Sequence, residues 1–166
     1  MAIIIRQWKI DDANNLVKYA NNIKIWNNLR NYFPYPYTME HANSWIDNSF
    51  VASPLINFAI DLDGEAIGGI GLIFNTDVYV LSAEIGYWIG EEFWGKGITT
   101  EAIRQMVEYS FYYFDIVRIY AEVFENNKAS MRALEKNGFY LEGVRRKSVF
   151  KNNTIMDDYI WVKLRP

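Results

Sequence analysis

Twelve residues near the middle of the chain, "EEFWGKGITTEA" from Glu91 to Ala102, set Gly95, Lys96 and Gly97 directly before a stretch of helical pattern. The first turn of a helix carries backbone N–H groups with no intrahelical acceptor and roughly half a unit of positive charge. Phosphate groups bind at such ends. Two glycines remove the side chains that would hold an anion off the backbone, while Lys96, Thr99 and Thr100 put a cation and hydroxyls at the rim. The residues leave two readings open: a tight turn with no ligand, or a cradle for a phosphate. The stretch lacks the Gly-x-x-x-x-Gly-Lys-Ser/Thr spacing of nucleotide hydrolases. No third glycine completes a dinucleotide fingerprint either.

Composition narrows the remaining chemistry. The chain has 166 residues, 51% apolar and 17% aromatic. That suits a single domain over residues 1–166 with a large core, not a disordered segment. A net charge of −3 argues against a DNA-binding face. No cysteine is present, which excludes disulfides, thiolate metal sites and a cysteine nucleophile. The single histidine, His41, cannot form a two-histidine site, so no metal is expected. The start, "MAIIIRQWKIDDANN", lacks the pattern of a signal peptide, and no apolar run reaches the roughly 20 residues of a membrane span. The expected setting is the cytoplasm, with no membrane partner.

Periodicity places these residues on elements. "AIIIRQW" reads as a strand, and "IDDANNLVKYANNIKIW" as a helix capped by Asp11 or Asp12. Two prolines among aromatics make "NYFPYPYT" a loop. Thr38 then caps a helix that ends at Pro54. "LINFAIDL" and "AIGGIGLIF" form a hairpin about "DGE", and Tyr79 to Gly90 is a further strand. Ile103, Met106, Val107, Ser110, Phe111 and Phe114 mark the buried face of a helix from about Thr99 to Phe114. "VRIYAEVF", "KASMRALEKN", "GFYLEGVRRKSVF" and "KNNTIMDDYIWVKL" follow as strand, helix and two strands joined at Asn152 and Asn153. The fold class is α+β: a mixed sheet of about seven strands flanked by about four helices.

Two stretches, "AEIGYWIGEEFWGKGITTEA" and "VFENNKASMRALEKNGF", resemble the acyl-CoA-binding core of the GNAT family, the Gcn5-related N-acetyltransferases. With the closing "GFYLEGVRRKSVFKNNTIMDDYIWVKL", the branch most similar is the N-terminal acetyltransferases of ribosomal proteins. The family's glycine pattern opens on Gln or Arg, where this chain has Glu92. The resemblance implies acetyl-CoA as cosubstrate, its pyrophosphate on the amides of Gly95, Lys96, Gly97, Ile98, Thr99 and Thr100. It implies that the strand carrying Tyr87, Trp88 and Ile89 splays from its neighbour and bonds pantetheine, and that Asn127 contacts the same arm. Asn127 and Ser130 also read simply as helix-capping residues.

Acetyl transfer to an amine needs a neutral amine, a stabilised thioester oxygen and a proton for the leaving thiolate. Within the resemblance, Glu84 is the expected base, directly or through a water. Strand alternation puts it on the side of Gly86 and Trp88 and opposite Ile85. Its bland alternatives are a solvated strand residue or an arginine partner, and Glu122 is the second candidate carboxylate. Many family members use a tyrosine as the acid at the position of Leu134, so Ser130 takes that role here. The oxyanion donor would be a backbone N–H between Tyr87 and Ile89.

The acceptor wall would come from "NNLRNYFPYPYTMEHANSW", whose Tyr32, Phe33, Tyr35 and Tyr37 either line a groove or pin the loop to the core. His41 reads as a cap-region residue, and "VRRKS" (Val144 to Ser148) as a solvated basic strand face. The expected acceptor is a protein or peptide α-amine. The alternatives are a small amine (polyamine, aminoglycoside or amino acid) and a non-catalytic acyl-CoA-binding module. Relatives that dimerise through their last strands make a homodimer a family-level expectation.

Overall fold

A computed structural model describes residues 1–166. The chain runs β1 (Ile3–Arg6), α1 (Ala13–Ala20), α2 (Ile23–Trp26), α3 (Met39–Ser49), β2 (Asn57–Leu62), β3 (Glu65–Phe74), β4 (Ser82–Ile89), α4 (Ile98–Tyr113), β5 (Arg118–Phe124), α5 (Lys128–Lys136), β6 (Tyr140–Lys151) and β7 (Thr154–Leu164). The seven strands form one sheet in the order β1-β2-β3-β4-β5-β7-β6. Every neighbouring pair is antiparallel except β4 and β5. The two hairpins turn on pairs with positive φ, Asp63–Gly64 (51° and 97°) and Asn152–Asn153 (49° and 58°). Two-residue turns of that hand match the twist of the strands they join.

Local chemistry moves several expected boundaries. The first helix is two helices, because Asn22 breaks it and caps α2 by accepting from the Lys24 N–H. Such side-chain bonds compete with helix continuation. Asp12 does not cap α1 through its side chain; its carboxylate accepts from the Lys9 N–H at 2.8 Å and from Arg6 at 2.8 and 3.0 Å. Thr38 caps α3, accepting from the His41 N–H. That helix stops at Ser49, well short of Pro54. β4 starts at Ser82, since Asp77–Tyr79 form a single 3-10 turn.

Helices cover both faces of the sheet. Ile98, Ile103 and Met106 of α4 and Leu134 of α5 pack with Ile67, Ile85, Ile89 and Ile119 of the strands. On the other face Leu16 of α1 and Ile46 of α3 enclose Trp8 and Ala59, with Trp88 against them. Ile103 is fully buried in the larger cluster. Ile103→Ala is expected to lower stability by about 2–5 kcal/mol, read as the change in ΔG from urea denaturation. No helix is long and apolar enough to cross a membrane.

One irregularity in the sheet creates the site. β4 and β5 pair only at Ser82–Arg118, Ala83–Ile119 and Glu84–Tyr120. Past Glu84, β4 stays with β3 up to Ile89, while β5 stays with β7 up to Phe124. The two strands therefore separate over their C-terminal halves.

Candidate active site

A cleft of about 1490 Å³ opens where the strands part. Its lining includes Glu84, Gly86, Tyr87, Trp88 and Ile89 of β4, residues 95–100, Glu122 of β5, and Asn127 and Ser130 at the start of α5. The residues expected from sequence to act together thus border one space.

At one end lies the glycine turn. Gly95 and Gly97 hold φ values of 73° and 77°, and Gly97 is the residue before α4. An L side chain rarely adopts that left-handed conformation. A Cβ on either glycine would meet nothing within 4 Å, so the space above them is open. No side chain caps α4, and the N–H groups of residues 95–100 find no acceptor in the protein. Free amides, a helix N-terminus and an uncovered backbone fit an anion the size of a diphosphate. On the splayed strand the Ile89 carbonyl is already used, accepting from the Trp94 indole at 3.0 Å.

Glu84 lies deeper, where Arg30, from the loop after α2, donates through Nη2 to Glu84 Oε1 at 2.6 Å and to Glu122 Oε2 at 2.8 Å. Burial lifts the Glu84 carboxyl above the ordinary carboxylate range, while the Arg30 guanidinium pulls it back down. A partly desolvated carboxylate with a raised pKa is a better proton acceptor near neutral pH than a free one. An arginine partner is one of the bland alternatives to a catalytic Glu84, and that partner is present; nothing in the loop's composition pointed to Arg30.

Facing the α5 side, the Tyr87 hydroxyl lies 2.6 Å from Ser130 Oγ. Burial raises the Tyr87 pKa well above its usual value, so the resting phenol is protonated near neutral pH. Tyr87 was expected only as part of the pantetheine strand. The same alternation that puts Glu84 on one face puts Tyr87 on the other, toward α5. Asn127 caps α5, its side chain accepting from the Ser130 N–H at 3.3 Å. Leu134 is fully buried in the core, and the tyrosine hydroxyl on this side of the cleft comes from β4 instead. Because the cap uses the Ser130 backbone, Ser130→Ala leaves it intact.

The loop before α3 divides its aromatics between the two expected roles. Tyr32, Phe33 and Tyr37 border the cleft together with His41 and Trp45 of α3. Tyr37 is itself buried, packing tilted on Phe33 and edge-on to His41, and Phe33 meets Trp88 edge-on at 5.8 Å. Tyr35 packs on Trp26 outside the cleft. Lys151, buried at the end of β6, is 3.2 Å from the Trp26 ring centroid and donates to Asn31 Oδ1 at 2.9 Å, tying the loop to the sheet. His41 Nδ1 lies 3.0 Å from Thr38 Oγ1, in the cap. The basic "VRRKS" stretch is largely neutralised: Arg145 pairs with Glu122 and Asp158, and Arg146 with Asp157.

Comparison with known proteins agrees with this geometry. The family model described as the acetyltransferase (GNAT) domain matches residues 2–140. YjcK of Bacillus subtilis (strain 168), a probable N-acetyltransferase, is 39% identical over 104 residues, covering 63% of this chain and 58% of YjcK. YdaF of the same organism, a putative ribosomal N-acetyltransferase, is 39% identical over 90 residues, covering 54% of this chain and 49% of YdaF. The chain thus spans about half to three-fifths of these curated relatives. The crystal structure of the microcin C7 self-immunity acetyltransferase MccE in complex with acetyl-CoA and AMP superposes with a TM-score of 0.82. It is 26% identical, covering 98% of this chain and 92% of that one.

Proposed function

Because this chain belongs to the GNAT acetyltransferase family, we propose that it transfers acetyl from acetyl-CoA to a primary amine by direct attack, with the N-terminal α-amine of a peptide or protein as acceptor. The observation that carries the reading is the shared cleft, in which the free-amide cradle at residues 95–100, the parted edge of β4 and Glu84 face the same space.

Acetyl-CoA supplies an activated thioester carbonyl. The chain's own residues do the rest. The amides of Gly95 to Thr100, with Lys96, Thr99 and Thr100 at the rim, hold the diphosphate. Tyr87, Trp88 and Ile89 border the pantetheine arm, and Asn127 lies across from them. Glu84 takes a proton from the amine, directly or through a water. As the N–C bond forms and the C–S bond breaks, Ser130 gives its proton to the sulfur and Tyr87 replaces it through their 2.6 Å bond. Ser130→Ala and Tyr87→Phe are each expected to lower kcat by about 10-fold or more. The double variant should fall little below the worse single one, because the two hydroxyls act as one relay. Steady-state kinetics on the three variants measures this.

The acceptor class rests on charge and on one relative. Arg30 already occupies both carboxylates facing the cleft, which disfavours a polycation such as a polyamine. YdaF carries a ribosomal description. A small flat amine is the second reading, favoured by the aromatic lining of Tyr32, Phe33 and Trp45. Free-thiol release from acetyl-CoA is the test, run with peptides bearing free or blocked N-termini and with a panel of small amines. Release with the free peptides alone is expected. Release with small amines alone would move the assignment to them, and donor binding with no release would make the protein an acyl-CoA-binding module.

A further inference from the structure

Asp158 of β7 is a charged residue for which acetyl transfer as described has no use. It is only 4% exposed. One of its oxygens, Oδ1, is buried with no hydrogen-bond partner, and the other is 3.5 Å from Arg145 Nη1. A contact that long is a poor structural anchor, and an unpaired buried carboxylate oxygen calls for an explanation.

Its surroundings lead back to the candidate base. Arg145, from β6, also donates through Nη2 to Glu122 Oε1 at 2.9 Å. Glu122, from β5, accepts from Arg30 at 2.8 Å on its other oxygen, and Arg30 reaches Glu84 of β4 at 2.6 Å. Register explains the alignment: Phe124 pairs with Asp158 and Glu122 with Ile160, so Glu122 and Asp158 point to the same face of the sheet. Three carboxylates alternate with two guanidiniums, leaving one negative charge uncompensated.

We infer that Asp158 is a positioning residue for Glu84, acting through the alternating chain Asp158–Arg145–Glu122–Arg30–Glu84, so that its ionisation loosens the hold of Arg30 on Glu84. Ionised Asp158 draws Arg145 away from Glu122. Glu122 then takes the larger share of Arg30, and Glu84 is freed to accept a proton. Protonated Asp158 reverses each step and leaves Glu84 clamped. Burial, then the charge of Glu122, pushes the Asp158 carboxyl up to about 6, with Glu84 adding to the rise and Arg145 and Arg30 opposing it. The switch therefore falls just below neutral pH. The inference rests on the acetyl-transfer reading only for the role of Glu84.

The test uses the full chain, as wild type, Asp158→Asn and Arg145→Gln, with two readouts. Carboxyl ¹³C NMR follows the titration of the two side chains, and kcat/KM for the amine is measured against pH. In the wild type, a carboxyl signal titrating near pH 6 and an acidic limb at the same pH are expected. In Asp158→Asn that signal and limb should vanish, Glu84 should titrate at lower pH, and kcat/KM above pH 7 should fall about 10-fold. Arg145 is half exposed, so its replacement is well tolerated; Arg145→Gln should raise the Asp158 midpoint and, with the chain broken between Asp158 and Glu122, abolish the limb that follows it. Loss of activity in Asp158→Asn with an unmoved limb and an unmoved Glu84 titration would mean a merely structural role and overturn the inference. If Asp158→Asn does not fold, Arg145→Gln decides alone: a raised Asp158 midpoint with no limb at that pH upholds the inference, and a limb that still follows Asp158 overturns it. If no amine is acetylated, the proposed function fails, while the Glu84 shift still upholds or overturns the coupling.

Discussion

Glu84→Gln is expected to lower kcat by about 10² to 10⁴-fold while leaving the affinity for acetyl-CoA unchanged, since a positioned general base contributes on that scale. The substitution keeps the shape of the side chain and keeps an oxygen for Arg30 to bond, so the loop holding Arg30 stays in place. What it removes is the ionisable group. Burial raises the Glu84 carboxyl, and a base works only when ionised, so the wild-type rate should climb with pH through that raised value. The variant should show no such rise at the same pH. Glu122 also faces the cleft and shares Arg30. Glu122→Gln is therefore the companion measurement, with a smaller loss in kcat expected. Equal or larger loss at Glu122 would transfer the role of base to it.

Gly86→Trp is expected to cut kcat/KM for the amine by about 100-fold or more, since small misplacements of reacting groups carry losses of that size. Gly86 is exposed in the middle of a strand, and a Cβ added there meets nothing within 4 Å. It lies between Glu84 and Trp88 on the same side of β4, and all three line the cleft. An indole at this position would fill the approach to Glu84 without disturbing the core. The thermal midpoint should stay within a few degrees of wild type. A folded Gly86→Trp variant with normal amine kinetics would place the acceptor elsewhere.

The extent to which the site could be read from sequence follows from how local each signal is. The cradle was legible because it is local: Gly95, Gly97 and the first turn of α4 occupy one short stretch, and their physics depends on nothing distant. Alternation along β4 likewise put Glu84, Gly86 and Trp88 on one side. The long-range contacts were not legible. Arg30 lies 54 residues from Glu84 and 92 from Glu122, and no periodicity relates a loop arginine to two strand carboxylates. The Tyr87–Ser130 bond spans 43 residues; its half-signal, the outward turn of Tyr87, had no partner until α5 was placed. Boundary errors had a different cause. Asn22 and Asp12 each chose a side-chain bond over the role that composition suggested, a choice decided by neighbours in space.

Calorimetric titration with acetyl-CoA, on wild type and on Gly97→Trp, tests the central claim most directly. Gly97 borders open space, so an indole there projects over the free amides, and only the left-handed backbone (φ 77°) resists the change. Saturable one-to-one binding by the wild type and none by the folded variant is the expected result. No binding by the wild type, or equal binding by both, would contradict it and leave the glycine turn as a turn without a ligand.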